Sequence, residues 1–261
     1  MNLTKLLVLI VLSTLLASCG QSNSNGKKTI SLSSEEMNQM MMEQTFECAS
    51  ENGAACPDGI ARVFIVNEKN PAESSVCTGF LNGNNRLVTN NHCLSTQDQC
   101  GTTYIAVYRN GGHEVARCRS ILKTEVDGKT LNQKAIDYTI LELDHTIQKI
   151  KSFPISKFSP YPGEKLTTWV IDHLNSRQSR ITELGCNLSR KAKSFELQNC
   201  PIIQGNSGSP VLNEYGELVA LIWGSTADET VNEMTSLVDR RSLNEYGFAT
   251  DLKHFRPYLI K

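Results

Sequence analysis

From residue 60 onward the chain is a succession of short apolar or alternating runs, at 60–66, 76–81, 86–90, 104–108, 139–143, 166–171, 209–212 and 218–223, broken by Gly, Asn and Pro. Runs of this length suit strands, and the punctuation between them leaves room for tight turns but not for long helices. Residues 213–216, Asn-Glu-Tyr-Gly, have the composition of a hairpin loop. The pattern predicts an all-β chain closed into a barrel or stacked as a sandwich, with no internal repeat. Helix is expected at two places. Ser33 and Glu36 have capping-box spacing ahead of the helix-forming stretch 35–46. Residues 251–258 form the second, with Pro257 limiting how far it can run. Met37, Met40, Met41 and Met42 recur at helical spacing in the first and read as a packing face, because methionine fills irregular apolar gaps.

Ahead of this β-rich body, Lys5 is followed by an apolar run, 6–16, and then by small residues up to Cys19, the layout of an export signal. The run is shorter than the ~20 apolar residues a membrane-spanning helix needs. Leu16-Ala17-Ser18-Cys19 resembles the lipobox of bacterial lipoproteins. That resemblance implies cleavage before Cys19, acylation of its thiol and amine, and stable anchoring, since two or more chains suffice for it. The alternative is an ordinary signal cut near Ala17. The expected location is the cell envelope, outer membrane or periplasm, with Gly20 favouring the outer membrane, or outside the cell if the anchor is lost. Residues 21–28 are polar, with Ser, Asn and Gly repeated, as in a flexible spacer. The expected organisation is a signal at 1–18, a tether with a short helix at 19–57 and a folded domain at 58–261.

Setting Cys19 aside leaves cysteines at 48, 56, 77, 93, 100, 118, 186 and 200, an even number that in an exported chain reads as a disulfide framework whose pairing composition cannot choose. No CxxC pair is present, so no metal site is expected. Lys and Arg number 26 against 27 Asp and Glu, and a net charge of −1 offers no basic excess for nucleic acid. An apolar content of 39% and this length suit one all-β domain or two small packed barrels.

Three segments carry chemistry: LVTNNHC ending at Cys93, DYTILEL at 137–143 and GNSGSPV at 205–211. Ser207 lies in a glycine-rich turn ahead of a strand, where a hydroxyl can be exposed and backbone N–H groups aimed. Alone such a string means little, because Gly and Ser crowd ordinary turns. His92 ends a β-run and adjoins a cysteine that would pin its backbone. An imidazole titrates near working pH, so it can take a proton from a hydroxyl and return it to a leaving group. Asp137 precedes an apolar strand, which would bury its carboxylate where it could orient an imidazole. Asp127, in a Val-Asp-Gly turn, and Asp144, beside His145, compete for that role but sit where exposed carboxylates are common. His113, His145, His173 and His254 have no comparable flanks and are assigned to surface or packing roles.

Together the three segments resemble the histidine, aspartate and serine segments of the chymotrypsin-like serine peptidases, in that family's chain order and over residues 58–258. The short step from Asp137 to Ser207 is similar to the compact bacterial branch that includes glutamyl endopeptidases. The resemblance implies two six-stranded antiparallel β-barrels with the site in the cleft between them and a C-terminal helix, His92 and Asp137 coming from the first barrel and Ser207 from the second. It implies peptide-bond hydrolysis without a cofactor, Ser207 as nucleophile, and the amides of Gly205 and Ser207 as oxyanion hole. The family's disulfide around the histidine matches Cys77 with Cys93, and Cys186 with Cys200 would close the loop before the nucleophile. Cys48 with Cys56 and Cys100 with Cys118 are merely nearest neighbours in sequence. Asn206 stands where animal digestive members carry an aspartate that pairs with a newly cut N-terminus, a pair an amide cannot make. Residues 20–57 could be a propeptide, an inhibitory flap or a stalk. By resemblance the specificity pocket has Pro201 and Ile202 at its base and Trp223, Gly224 and Gly247 as walls. It lacks charge, so substrates cut after apolar residues are expected, with Glu next and Arg or Lys last. Protein or peptide substrates and a membrane are the expected partners. The rival readings are a catalytically silent binding protein or adhesin on this fold, and an esterase.

Overall fold

A computed structural model describes residues 33–50, 53–67, 74–110, 112–128, 136–175, 177–226 and 246–260. The element order is α1 (Ser34–Met42), β1 (Thr45–Ala49), β2 (Ile60–Ile65), β3 (Ser75–Leu81), β4 (Arg86–Thr89), α2 (Gln97–Gly101), β5 (Thr103–Arg109), β6 (Gly112–Val126), β7 (Asp137–Leu143), β8 (Lys165–His173), β9 (Gln178–Lys191), β10 (Phe195–Gln198), β11 (Pro210–Leu212), β12 (Leu218–Ser225) and β13 (Tyr246–Asp251). Strands β2-β3-β4-β7-β6-β5 close into one antiparallel barrel. Strands β8-β9-β10-β13-β12-β11 close into a second, sealed by the β8–β9 pairing.

Strands β2, β7 and β12 are buried on both sides along most of their length, which is why they read as continuous apolar runs. In β7, Leu141 and Leu143 point into the first barrel, while Tyr138 and Ile140 join a separate cluster with Trp169, Ile171, Leu221 and Phe255 that cements the two barrels together. The second barrel has its own interior around Val170, Leu188, Phe195 and Ile222. Burying such side chains stabilises by about 1.5–3 kcal/mol each, so separating the barrels would expose a large apolar face.

β6 escapes a simple alternating pattern. β6 carries Glu114, Arg117, Arg119, Lys123 and Glu125, and its register shifts near Cys118 and Ile121, so its period is broken and its sequence looks like polar loop. The amino-terminal helix is capped as expected, Ser33 and Glu36 bonding each other's backbone. It stops at Met42, however, because Thr45–Ala49 pairs in parallel with β9 as a seventh strand on the second barrel. Met37, Met40 and Met41 are buried against Phe64, Tyr104 and Ala106 of the first barrel. The expected carboxy-terminal helix is two single 3-10 turns, Leu252–His254 and Arg256–Tyr258, with Pro257 inside the second. All four disulfides join the nearest partners: Cys48–Cys56, Cys77–Cys93, Cys100–Cys118 and Cys186–Cys200.

Candidate active site

β4 ends at Thr89 and turns back through Asn90, whose buried side-chain amide donates to the Asp137 carbonyl at 2.7 Å. This presents His92 to Asp137, the first residue of β7. His92 Nδ1 lies 2.7 Å from Asp137 Oδ2, and the His92 backbone amide donates to Oδ1 at 3.1 Å. Asp137 is fully buried, while the His92 side chain is about one-third exposed. A carboxylate withdrawn from water needs donors, and His92 supplies two. Because a carboxylate accepts, the proton of the neutral ring belongs on Nδ1, leaving the Nε2 lone pair to act as a base. The competing acids are engaged elsewhere: Asp127 Oδ1 accepts from the Ile136 amide at 2.6 Å, and Asp144 Oδ1 pairs with His145 Nδ1 at 2.8 Å.

Ser207 is half-buried in the turn before β11. Its carbonyl accepts from the Thr78 amide at 2.8 Å, and the Thr78 hydroxyl donates to the Gly205 carbonyl at 2.9 Å. Thr78 follows Cys77, whose disulfide partner Cys93 adjoins His92, so the serine turn and the histidine are tied to one corner of β3. Gly205 and Gly208 have φ of +91° and +92°, a region that favours glycine. At Gly208 a Cβ would lie 1.9 Å from the Thr78 carbonyl oxygen, so the turn could not approach β3 with any larger residue. Asn206, fully buried, donates to the Ile171 carbonyl at 2.9 Å and accepts from the Ile203 amide at 3.0 Å. The turn is thereby fixed from within, without an ion pair. Among the described residues no group accepts from the Gly205 or Ser207 amide, and two unclaimed donors beside a hydroxyl can stabilise a developing oxyanion.

Of the residues expected to form the specificity pocket, Ile202 and Gly247 lie against each other. Ile202 Cγ1 would lie 3.2 Å from a Cβ on Gly247, Gly247 pairs with Ser225, and the Ser225 hydroxyl donates to the Ile202 carbonyl at 3.0 Å. Trp223 stacks on Phe248 with ring centroids 5.2 Å apart. Pro201, Ile202 and Trp223 are buried. Cys77, His92 and Cys93 cluster with metal-like spacing, but both sulfurs are committed to the disulfide and offer no thiolate. Cys19 lies outside the described residues. Sequence reasoning missed Thr250, whose hydroxyl accepts from the Asp137 amide at 3.1 Å, and Thr78; both sit inside ordinary strand pattern and nothing local marks them.

A family model described as the trypsin-like peptidase domain matches residues 77–221, more than half of the chain and all three segments. The chain belongs to that family. No curated protein matches the sequence. Among solved structures, this peptidase domain is similar to a serine endoprotease from Yersinia pestis, at 18% identity and a TM-score of 0.51 over 76% of this chain and 60% of that one. It is also similar to a protease from M. tuberculosis in its active form, at 14% identity and a TM-score of 0.48 over 76% of this chain and 78% of that one. At 18% identity the likeness to the Yersinia pestis enzyme concerns the fold alone.

Proposed function

We propose that this chain is an exported, lipid-anchored serine endopeptidase. The observation that carries the reading is the buried Asp137 carboxylate held by both the ring and the backbone of His92, an arrangement that orients a base. In the reaction, Ser207 Oγ attacks the scissile carbonyl carbon as its proton passes to His92 Nε2. The charge that builds on the carbonyl oxygen is met by the Gly205 and Ser207 amides. The imidazolium, stabilised by Asp137, returns the proton to the leaving amine, and water then hydrolyses the acyl-enzyme by the same relay. The anchor reading rests on the sequence around Cys19.

For specificity, buried Pro201 and Ile202 offer no charge to a basic side chain. Of the hydroxyls that could serve an acidic one, that of Ser225 already donates to the Ile202 carbonyl, while that of Thr226 accepts from the Tyr246 amide and keeps its proton. This favours cleavage after apolar residues. The test of the whole reading is labelling by a fluorescent phosphonate followed by casein zymography. Wild type is expected to label and to clear casein, and Ser207→Ala to do neither. Labelling without casein clearance would indicate an esterase, and no labelling a binding protein. Peptides differing only in Phe, Leu, Glu or Arg before the scissile bond then test the pocket, where preference for Arg would overturn it.

A further inference from the structure

His173 ends β8 directly beneath the serine turn. A Cβ built on Gly205 would meet His173 Cδ2 at 2.5 Å and Nε2 at 2.9 Å, so the imidazole lies flush against the one face of Gly205 that carries no side chain. Both ring nitrogens are sealed from solvent and neither makes a hydrogen bond of ordinary geometry. An unmade hydrogen bond of this kind costs about 1–3 kcal/mol, so a buried ring kept in this place calls for a reason. Burial, and next the Arg62 cation, hold the ring well below its ordinary protonation range, while the Gly205 carbonyl pulls weakly the other way. The ring is therefore neutral at working pH.

Gly205 needs such a neighbour. Its freedom at positive φ is what lets its amide face the reacting carbonyl, and the same freedom means that nothing in the residue itself holds it there. Its carbonyl is fixed by Thr78, and its open face is met by His173.

The end of β8 is braced in turn. His173 pairs with Ser179 across β8 and β9. Arg62 of the first barrel, only 1% exposed, donates to Ser179 Oγ at 3.3 Å, to the Asn175 carbonyl at 3.3 Å and to Gln44 Oε1 at 2.5 Å. Gln44 joins α1 to β1, the segment that packs its methionines on the first barrel and its strand on the second.

We propose that His173 is a positioning residue for the oxyanion turn, its ring bracing Gly205, and that Arg62 and Gln44 brace it from the amino-terminal segment. This rests on the serine peptidase reading. Residues 33–49 then support activity and do not block it.

The test uses the full chain with His173→Ala, His173→Phe and Gln44→Ala, measuring phosphonate acylation rate, kcat, KM and thermal melting. His173→Ala is expected to lower kcat and acylation about 10- to 100-fold with KM unchanged within about threefold. His173→Phe, which restores a ring, is expected to recover most of that loss, and Gln44→Ala to lower kcat by a smaller factor. If His173→Ala does not fold, His173→Leu, which keeps bulk without a planar ring, replaces it. Wild-type acylation in the Ala or Leu variant, or no recovery with Phe, would overturn the brace; wild-type kcat in Gln44→Ala would overturn its link to the amino-terminal segment. A wild type that acquires no label at Ser207 would overturn the peptidase reading and this inference with it. A labelled wild type with unaltered His173 variants overturns the inference alone.

Discussion

The hydroxyl of Thr250, on β13 of the second barrel, accepts from the amide of Asp137, where β7 of the first barrel begins, at 3.1 Å. The carboxylate that orients His92 is thereby referenced to the opposite barrel. Thr250→Val keeps the shape but leaves a buried N–H unpaired, which costs about 1–3 kcal/mol. Chemical denaturation should register that loss, kcat should fall about tenfold, and Thr250→Ser should restore both. Full activity in the valine variant would show that inter-barrel registration does not matter.

Replacing Asp137 with Asn should lower kcat by about 10⁴ with the fold intact, because the amide favours the wrong imidazole tautomer. Asp127→Asn and Asp144→Asn should stay near wild type, since their partners are Ile136 and His145. Loss of activity in either control with Asp137→Asn active would reassign the third member.

Gly208→Ala should abolish activity and lower stability beyond the ~1–2 kcal/mol of a left-handed backbone alone, because the new Cβ would collide with the Thr78 carbonyl. Gly101→Ala, at the end of α2 where a Cβ meets nothing within 4 Å, should be neutral or slightly stabilising. Denaturant midpoints compare the two directly, and equal effects would mean the serine turn is not seated on β3.

Acid should weaken the fold through His173. Burial and Arg62 lower its folded-state protonation well below the ordinary value of about 6.5. Between those two values the unfolded chain binds a proton that the folded chain refuses, so stability is full above about pH 6.5 and falls as pH drops through the window. His254 shifts the same way, by burial and then by Lys253. The neighbouring Asp172 faces Thr182, whose hydroxyl donates to Oδ2 at 2.9 Å. Melting temperatures from pH 7 to 5 should decline less steeply in His173→Phe than in wild type; parallel curves would show that the ring protonates freely in the folded protein.

Cys19→Ser should abolish incorporation of labelled palmitate and move the protein from the detergent to the aqueous phase. Equal partitioning of wild type and variant into the aqueous phase would sink the anchor reading.

Much of this protein was legible in its sequence because the relevant signals are local. Two-sided burial produces the continuous apolar runs of β2, β7 and β12. The Cys77–Cys93 pairing came with the family resemblance of the histidine segment, while that of Cys48, Cys56, Cys100 and Cys118 was left open by the sequence; the flanks of His92, Asp137 and Ser207 mark strand ends and a tight turn wherever they occur. What needed the tertiary structure is whatever depends on two distant segments meeting. Bulges in β6 erased its period, and β1 became a strand only because β9 offered an open edge. His173, flanked like any surface histidine, acquired its place from Gly205, thirty-two residues on. Local chemistry travels with the chain; a contact between segments far apart along it is written at neither of its ends, so only their packing could decide it.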